Sequence, residues 1–419
     1  MDRLPGFRDF YPEPLPDAGL WSADARQHIF TKWRDTARLY AFREYDGPPL
    51  EPLELFTLKS GDEIVGQLYN FTDKGGRPLA LRPEMTPTLA RMVAAHERSY
   101  KKPVKWFAIP QLFRYERQQK GRLREHFQFN ADIIGESDSS ADAELIALLV
   151  DTLLNLGLTA EDFVIRLSSR NAWHEFFLRH NGALDAEYEF FQAIDKIERQ
   201  SEEENEAKLA RLGFSLSQVQ GFITGGVPTS ELAAILKNLQ ARGLDRFVRV
   251  DYQVVRGLAY YTGPVFEAFD RKGEFRAIAG GGRYDNLIRL ISGGKVNLPA
   301  LGFGMGDVVL LELLKTRGAL KGFSGAIDTF VLVEAEDLRG PSLGLVQDLR
   351  RNGLAVDYSL TPAKPEKQFK RALEFNATYA VRLVRSGSDQ TLLQLKNLRT
   401  RTETTVTTAQ AIEQMKQGA

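Results

Sequence analysis

The chain has 419 residues, 43% of them apolar and 26% charged, which is the composition of a globular protein with two or three domains. It contains no cysteine, which excludes disulfides, thiolate zinc sites and a cysteine nucleophile. Lysine plus arginine and aspartate plus glutamate both number 55, so the net charge gives no support for a nucleic-acid partner. No stretch approaches the ~20 apolar residues of a membrane span. The N-terminus also has no apolar signal core, so we expect a cytoplasmic protein without a membrane partner.

The five histidines show no spacing typical of metal ligands. We therefore predict no metal site built by the protein alone. Any metal is expected to be a hard ion that arrives with a phosphate ligand.

The first half of the chain is predicted to contain a strand-rich region between helices. An amphipathic helix is predicted over 17–41, followed by an extended proline-rich segment at 47–52. Short strands dominate residues 68–135, with helices predicted at 88–97 and 140–156.

The next region is predicted to be helical and polar over about 170–245. Its acidic run 202–206 is typical of a solvated helix face. Strands are predicted again at 247–255 and 263–269, and a helix begins near Asp307.

The last 90 or so residues alternate between strands and helices, which predicts a small α/β domain with its own sheet. The predicted strands are 328–333, 355–358, 379–383, 392–395 and 402–407, and the predicted helices are 341–352 and 365–375.

A polar row alternates with apolar residues in the predicted hairpin 113–132. The even positions are Arg124, His126, Gln128, Asn130 and Asp132, and the odd positions are Phe127, Phe129, Ala131 and Ile133. Because strand side chains alternate faces, one face packs on a core and the other presents polar groups. The hairpin also contains four arginines and a lysine. It therefore predicts a site for an anionic, polar ligand. The alternative is an exposed antiparallel sheet with water on one side.

Glu84 and Thr86 stand between an apolar strand and a predicted helix. A carboxylate and a hydroxyl at a strand end could hold an ammonium group. Alternatively, Thr86 is the helix N-cap before Pro87, and the residues alone favour this second interpretation.

Two glycine-containing segments follow. The loop 255–263 holds one arginine and two tyrosines, which either face a ligand or anchor a packed turn. Gly302, Gly304 and Gly306 allow close approach of the backbone to a ligand or to another strand, with Asp307 as the expected N-cap of the next helix.

Together and in chain order, these segments resemble the histidyl-tRNA synthetases, a family of class II aminoacyl-tRNA synthetases. The resemblance covers nearly the whole chain and is carried by the N-terminal stretch 4–10, motif 1 at about 40–56, motif 2 at about 105–136, the two histidine signatures Arg256–Tyr261 and Gly280–Asp285, and motif 3 at about 300–315.

The resemblance implies a fold and an assembly. Residues 1–325 would form an α+β class II catalytic domain, an antiparallel sheet flanked by helices, with the helical insertion at about 170–245. Residues 326–419 would form an α/β anticodon-binding domain. Motif 1 would join two copies in a homodimer.

The implied reaction is the ATP-dependent activation of L-histidine to histidyl-adenylate, followed by transfer to the 3′ end of tRNA(His), with Mg²⁺ accompanying ATP. Arg114 and Arg256 would be catalytic, because they would hold the α-phosphate as negative charge gathers in the transition state.

The resemblance also implies ligands for each substrate. Histidine would contact Glu84, Thr86, Arg114, Gln128, Asp132, Arg256, Tyr260, Tyr261 and Tyr284, with Glu84, Thr86 and Gln128 at the α-amino group and Asp132 and Tyr261 at the imidazole. ATP would contact Arg114, Glu116, Arg122, Arg256, Arg283 and Gly304. The tRNA would contact Gln119, Lys120, Arg124, Lys367, Lys370, Arg371, Lys396 and Arg399.

Three positions depart from the family pattern. Ala259 replaces an acid, and Asp132 is one methylene shorter than the usual glutamate. Val309 replaces the motif 3 arginine that meets adenine and the γ-phosphate. A divergent branch similar to plant organellar enzymes shares the alanine and the glycine-rich segment ending in Gly-Asp. We therefore predict that Arg122 or Arg283, with magnesium, holds the terminal phosphates.

A second function fits the same resemblance: a histidine-binding regulatory paralogue, like the regulatory subunit of ATP phosphoribosyltransferase, without aminoacylation activity. Such paralogues usually lack the anticodon domain and the phosphate-binding arginines. This chain has Arg114, Arg256 and the C-terminal unit, which favours the enzyme.

Overall fold

The computed structural model describes residues 2–17, 19–60, 62–115, 123–255, 260–320, 327–386 and 390–417. The chain divides into two compact units. The first comprises Met1–Asp9 and Ala25–Lys321, and the second comprises Phe10–Asp24 and Gly322–Ala419. This grouping differs from the predicted division at residues 325 and 326 in the segment Phe10–Asp24.

The described strands are, in chain order, β1 (Phe10–Tyr11), β2 (Trp21–Ser22), β3 (Arg43–Glu44), β4 (Leu50–Pro52), β5 (Asn70–Thr72), β6 (Pro78–Leu81), β7 (Val104–Ala108), β8 (Gln111–Phe113), β9 (Glu125–Ile134), β10 (Phe163–Ser169), β11 (Val248–Val250), β12 (Pro264–Asp270), β13 (Ala279–Arg283), β14 (Ala300–Gly306), β15 (Thr329–Leu332), β16 (Val356–Tyr358), β17 (Tyr379–Ser386), β18 (Gln390–Asn397) and β19 (Glu403–Val406).

The described α-helices are α1 (Ala23–Leu39), α2 (Glu54–Ser60), α3 (Thr86–Ala95), α4 (Ser140–Asn155), α5 (Arg170–Arg179), α6 (Glu187–Asp195), α7 (Glu202–Arg211), α8 (Leu216–Gly225), α9 (Ser230–Ala241), α10 (Leu287–Ile291), α11 (Asp307–Thr316), α12 (Arg339–Arg351), α13 (Pro365–Glu374) and α14 (Thr408–Gln417). Short 3₁₀ helices lie at Asp62–Gln67, Glu97–Ser99, Leu184–Ala186, Ile197–Arg199, Asp245–Phe247 and Glu336–Leu338.

The main sheet of the first unit has the strand order β11-β10-β12-β13-β14-β9-β7-β3, with β8 paired to β9. The pairs through the centre, from β10–β12 to β7–β9, are antiparallel. The outer pairs β10–β11 and β3–β7 are parallel. The antiparallel sheet expected of the catalytic domain is therefore confirmed.

One face of this sheet packs on a hydrophobic core. Phe129 and Ala131 of β9 are fully buried, and the Phe129 ring lies 5.7 Å from Trp33 of α1 and 5.6 Å from Phe303 of β14. Burying a phenylalanine contributes roughly 1.5–3 kcal/mol. The apolar half of the predicted alternation thus faces the core, which leaves the even positions for the opposite face.

The insertion between β10 and β11 is helical, as predicted, and consists of α5 to α9. Its centre is aromatic: the ring of Trp173 lies 4.6 Å from Phe222, and the ring of Phe190 lies 4.5 Å from Phe214. The acidic run forms the exposed start of α7, where Ser201 accepts a hydrogen bond from the Glu204 backbone amide. Carboxylates at a helix N-terminus are favourable, so this run is a solvated helix end.

The C-terminal part of the second unit is a mixed sheet with the order β16-β15-β17-β18-β19. Helices α12 and α14 cover one face through Leu349 and Met415, and α13 covers the other through Ala372. The predicted α/β domain is confirmed. The sequence analysis missed only α14 among its described helices, an amphipathic helix with Ala411 and Met415 buried four residues apart.

Candidate active site

The polar face of the main sheet forms the floor of a cavity of about 850 Å³ in the first unit. Its floor includes a band of glycines from two neighbouring strands, Gly280 of β13 and Gly302, Gly304 and Gly306 of β14. Strand β9 pairs with β14 and lies beside this band of glycines. Its polar side chains also line the cavity: His126, Gln128, Asn130 and Asp132.

The glycines of β14 make room for the polar side chains of β9. The antiparallel register places Gly302 opposite Asp132 and Gly304 opposite Asn130. A Cβ atom at Gly302 would lie 1.9 Å from Asp132 Oδ1, and one at Gly304 would lie 2.7 Å from the Gln128 side chain. Of the two interpretations of these glycines, close approach to a neighbouring strand is therefore the one observed, within a cavity floor.

Asp132 of β9 belongs to the floor and lines the cavity. Its side chain is buried, and the Tyr284 hydroxyl donates a 2.5 Å hydrogen bond to Oδ1. Burial raises the pKa of Asp132 to about 7, although the hydrogen bond from Tyr284 opposes this shift. The carboxyl group therefore titrates near neutral pH.

The wall above Asp132 comes from α3 and from residues 260–261. The Tyr260 hydroxyl donates to Glu84 Oε2 at 3.1 Å, and the Tyr260 ring lies 4.9 Å from Tyr261 and 6.0 Å from Tyr284. Thr86 is the first residue of α3 and also lines the cavity.

Two predicted helix caps are wrong. The N-cap of α3 is Met85, without a side-chain cap hydrogen bond, so Thr86 does not cap the helix. The N-cap of α11 is Gly306, and the Asp307 carboxylate instead accepts hydrogen bonds from Arg8 and from the Phe127 backbone amide.

Arg114 reaches the cavity from the end of β8, and its Nε donates to the Pro83 carbonyl at 3.1 Å. His126 lies close by on β9. Its pKa is lowered to about 3 by burial first, and then by the positive charges of Arg114 and Arg8. His126 is therefore neutral over the physiological pH range.

The side of the cavity opposite β9 carries residues that sequence reasoning missed. Arg166 of β10, Glu267 of β12 and Arg276, which precedes β13, line this side together with Asp195 and Glu198 of the helical insertion. These residues are distant in sequence from motif 2. Only the strand order of the sheet brings these residues to the same cavity as motif 2, and no signal in the sequence predicts that order.

Arg283 requires a correction. It was predicted to contact ATP, but its guanidinium is buried and donates to Asp142 Oδ2 at 2.6 and 3.0 Å and to the backbone carbonyls of Glu136 and Asp138. Arg283 is one residue from Gly282 on β13, so its side chain leaves the opposite face of the sheet. It holds α4 and is not a ligand in the cavity.

Several predicted site residues lie outside the described residues: Glu116, Gln119, Lys120, Arg122 and Arg256. Arg124 is described, and its guanidinium lies 4.4 Å from the Tyr115 ring centroid.

Four of the predicted basic residues of the second unit lie on the side of its sheet that α13 covers. Lys367, Lys370 and Arg371 are exposed on α13, and the Lys396 ammonium lies 5.0 Å from the Phe369 ring of that helix. Arg399 is exposed in the turn that follows β18.

The N-terminal stretch supplies a buried ionic cluster under the β9 end of the site. Arg8 donates to Glu125 Oε1 at 2.7 Å and to Asp307 Oδ2 at 2.9 Å. The Gly6 carbonyl accepts a hydrogen bond from the Arg124 backbone amide. The cluster connects the start of β9 with the start of α11. The sequence showed only that residues 4–10 resembled a family segment.

Comparison with solved structures defines the class. The chain matches the crystal structure of histidyl-tRNA synthetase from Nostoc sp. PCC 7120 over 98% of both chains, with a TM-score of 0.77 and 23% identity. The catalytic unit thus has the class II aminoacyl-tRNA synthetase fold.

A family model described as histidyl-tRNA synthetase matches residues 15–306. The chain is 45% identical to a histidine--tRNA ligase of Opitutus terrae, covering 96% of this chain and 95% of the relative. It is 39% identical to the chloroplastic/mitochondrial histidine--tRNA ligase of Arabidopsis thaliana, covering 89% and 78%. The chain belongs to the histidyl-tRNA synthetase family, which confirms the resemblance, including that to plant organellar enzymes.

The described residues contain no helix with the length and apolar character needed to cross a membrane. They also contain no group of three or more histidine, aspartate or glutamate side chains arranged to hold a metal ion.

Proposed function

We propose that the chain is a histidine--tRNA ligase, which activates L-histidine with MgATP and transfers it to the 3′ end of tRNA(His). The observation that carries this proposal is the buried pair of Asp132 and Tyr284 in a cavity whose floor includes a band of glycines. An acidic acceptor in an enclosed pocket suits the N–H groups of an imidazole ring.

The amino acid would lie with its imidazole on Asp132 and Tyr261 and with its α-ammonium on Glu84, Thr86 and Gln128. The Tyr260 hydroxyl supports this arrangement, because its hydrogen bond holds the Glu84 carboxylate in the cavity. Tyr260 and Tyr284 would form the walls around the ring.

In the first step, a carboxylate oxygen of histidine attacks the α-phosphorus of ATP. A new P–O bond forms, and the bond from the α-phosphorus to pyrophosphate breaks. Negative charge gathers on the phosphoryl oxygens, so Arg114 and Arg256 would stabilise the transition state more than the ground state. In the second step, a hydroxyl of the terminal ribose of tRNA attacks the activated carbonyl carbon, and AMP leaves.

The nucleotide would lie along the part of the cavity that Gly304 lines. Glu116 and Arg122 remain proposed ATP ligands, with Mg²⁺ arriving as part of the MgATP substrate. Gln119, Lys120 and Arg124 would meet the acceptor end of tRNA.

We also propose that motif 1 joins two copies of the chain. Leu50 lies in this motif and is 39% exposed. Leu39 precedes the motif and Leu58 follows it, and they are 72% and 49% exposed. Grouped exposed apolar side chains are typical of protein interfaces. Sedimentation equilibrium of the purified protein measures the assembly directly.

Histidine-dependent exchange of pyrophosphate into ATP tests the proposed function. It also separates the enzyme from the histidine-binding regulatory paralogue, which would bind histidine without exchange. A pure protein that shows no exchange would rule out the ligase.

The Arg256→Ala variant should lower adenylation by on the order of 10²–10³-fold, as expected for the loss of one preorganised charge donor. The matched control is Arg249→Ala, since Arg249 is exposed and pairs with Asp251. If both variants keep near-normal exchange rates, Arg256 does not act at the phosphate.

A further inference from the structure

Arg276 lies in the loop between β12 and β13, and its exposed side chain lines the cavity that also contains Asp132. The position belongs to none of the sequence motifs. Two observations indicate which part of a ligand Arg276 would bind: the register of the sheet and the positive charges in the cavity.

The first feature is the register of β13 and β14, which pairs Gly280 with Gly304 and Ala279 with Met305. Residues directly opposite in an antiparallel pair point to the same face. Gly280 therefore shares the cavity face with Gly304, and the residues that lead into β13, 275–278, line the same cavity.

The same register places the start of β13, which follows residues 276–278, beside the end of β14, which leads into α11. Val308 and Val309, at the start of α11, line the cavity as well. Arg276 and Val309 therefore enter the cavity from the same end of the β13–β14 pair, and Asp132 pairs with Gly302 farther along β14.

The second feature is the distribution of positive charge. The arginines that line the cavity within the described residues are Arg114, Arg166 and Arg276. Arg166 lies on β10, 3.4 Å from Glu198, 3.6 Å from Asp251 and 4.3 Å from the Phe269 ring centroid. Arg114 approaches from β8, on the β9 side of the floor.

We propose that Arg276 binds the terminal phosphates of MgATP, at the end of the cavity where Val309 provides no charge. The inference rests on the proposed function, because it assigns the β- and γ-phosphates of the same nucleotide. A guanidinium on a loop beside the glycine floor can form charge-assisted, bidentate hydrogen bonds with phosphate oxygens.

The experiment is calorimetric titration of the full-length protein with MgATP and, separately, with AMP, without histidine or tRNA. Arg276→Ala should weaken MgATP binding roughly 10- to 100-fold, the effect of losing one hydrogen-bonded charge. AMP affinity should stay unchanged, because AMP lacks the terminal phosphates. Arg276→Lys should retain part of the MgATP affinity.

The matched control is Lys272→Ala, which removes an exposed cation from the same loop without changing the cavity lining. It should bind both nucleotides as the wild type does. Thermal melting of each variant verifies that the fold is intact.

A double variant sharpens the assignment. Because positions 276 and 309 share one end of the cavity, Val309→Arg combined with Arg276→Ala should recover MgATP affinity at least several-fold over Arg276→Ala alone. No recovery would overturn the placement of the phosphates between these two positions.

Two further results would overturn the assignment: MgATP affinity of Arg276→Ala within about twofold of wild type, or an equal loss of AMP affinity. A protein that is not a ligase would give a different result from either of these two binding outcomes. In that case the wild type would bind MgATP but show no histidine-dependent pyrophosphate exchange, while the effect of Arg276→Ala on binding would remain.

Discussion

Burial raises the pKa of Asp132, and the hydrogen bond from Tyr284 lowers it. The effect of burial is the larger, so the pKa rises from 3.8 to about 7. Between about pH 4 and 7 the folded protein therefore holds a proton that the unfolded chain has released. The stability that this proton contributes is fully present below the unfolded pKa of 3.8 and is lost as the pH rises through 7.

Asp132→Asn should remove this pH dependence, because the amide has the shape of the protonated carboxyl group and does not titrate. The free energy of unfolding of the wild type should fall relative to the variant by up to about 1.4 kcal/mol per pH unit between pH ~4 and ~7. Urea denaturation at several pH values measures the difference. His126, whose lowered pKa acts in the opposite direction, is present in both proteins and cancels. Parallel pH profiles would contradict the prediction.

Gly302→Ala should raise the KM for histidine by at least tenfold, because the new Cβ would lie 1.9 Å from Asp132 Oδ1 and force the carboxyl group to move. Histidine-dependent pyrophosphate exchange gives the KM. Gly221→Ala is the control, since a Cβ at that helical position meets no atom within 4 Å. Equal KM values for the two variants would show that the floor tolerates a side chain.

The alternation of polar and apolar residues along β9 predicted which of its side chains line the cavity. The two arginines that were misplaced or missed lie where the sequence shows no such alternation. Gln128 and Asp132 could be placed on one face because a strand period of two is visible in the sequence. Arg283 was misplaced because the glycine-rich segment does not reveal which of its residues face the cavity. Arg276 was missed because only the pairing of β13 with β14 brings the residues before β13 to the cavity.

At the scale of elements, the N-terminal stretch, β9 and α11 meet in the cluster of Arg8, Glu125 and Asp307, whose side chains are at most 5% exposed. Removing the cation would leave two buried carboxylates side by side. Breaking a buried ion pair in this way typically costs 3–5 kcal/mol.

Arg8→Ala should therefore lower the free energy of unfolding by roughly 3–5 kcal/mol, measured by urea denaturation. The control is Arg77→Ala, which removes an exposed pair with Asp73 and should change stability by less than about 1 kcal/mol. A small effect in both variants would mean that the cluster is neutralised by protonation of its carboxyl groups.

The helical insertion shows what element-level patterns can predict. Its charge runs and helix spacing were visible in the sequence, and the acidic start of α7 is solvated as expected. Its contribution to the cavity through Asp195 and Glu198 was not predicted, because it depends on how the insertion folds back onto β10 and β12. Such long-range packing has no local sequence signal.

At the scale of the whole molecule, the chain combines a catalytic unit with an α/β unit that has exposed cations along α13 and beyond β18. We propose that these cations contact tRNA phosphates, since the chain as a whole carries no net positive charge that could attract the tRNA.

Lys370→Ala combined with Arg399→Ala should raise the KM for tRNA several-fold and reduce its salt dependence by up to about two units of slope. Pyrophosphate exchange without tRNA should not change, because both residues belong to the second unit. Lys416→Ala, an exposed cation on α14, is the control. An unchanged salt slope would place the tRNA contacts elsewhere.

The order of units was predicted from the sequence because strand and helix patterns change after residue 325. The grouping of Phe10–Asp24 with the second unit was not predicted. Those residues lie early in the chain, and only their contacts in three dimensions assign them.

The glycine floor also limits how resistance to an inhibitor could arise. A compound lying on the floor would contact the side chains of Asp132 and Gln128, which fill the space where a Cβ of Gly302 or Gly304 would stand, and every substitution of these glycines adds a Cβ that collides with them. Escape variants would therefore arise on the walls and rim of the cavity. An inhibitor scaffold flat enough to rest on the floor would meet a surface that the enzyme cannot change without losing its own substrate.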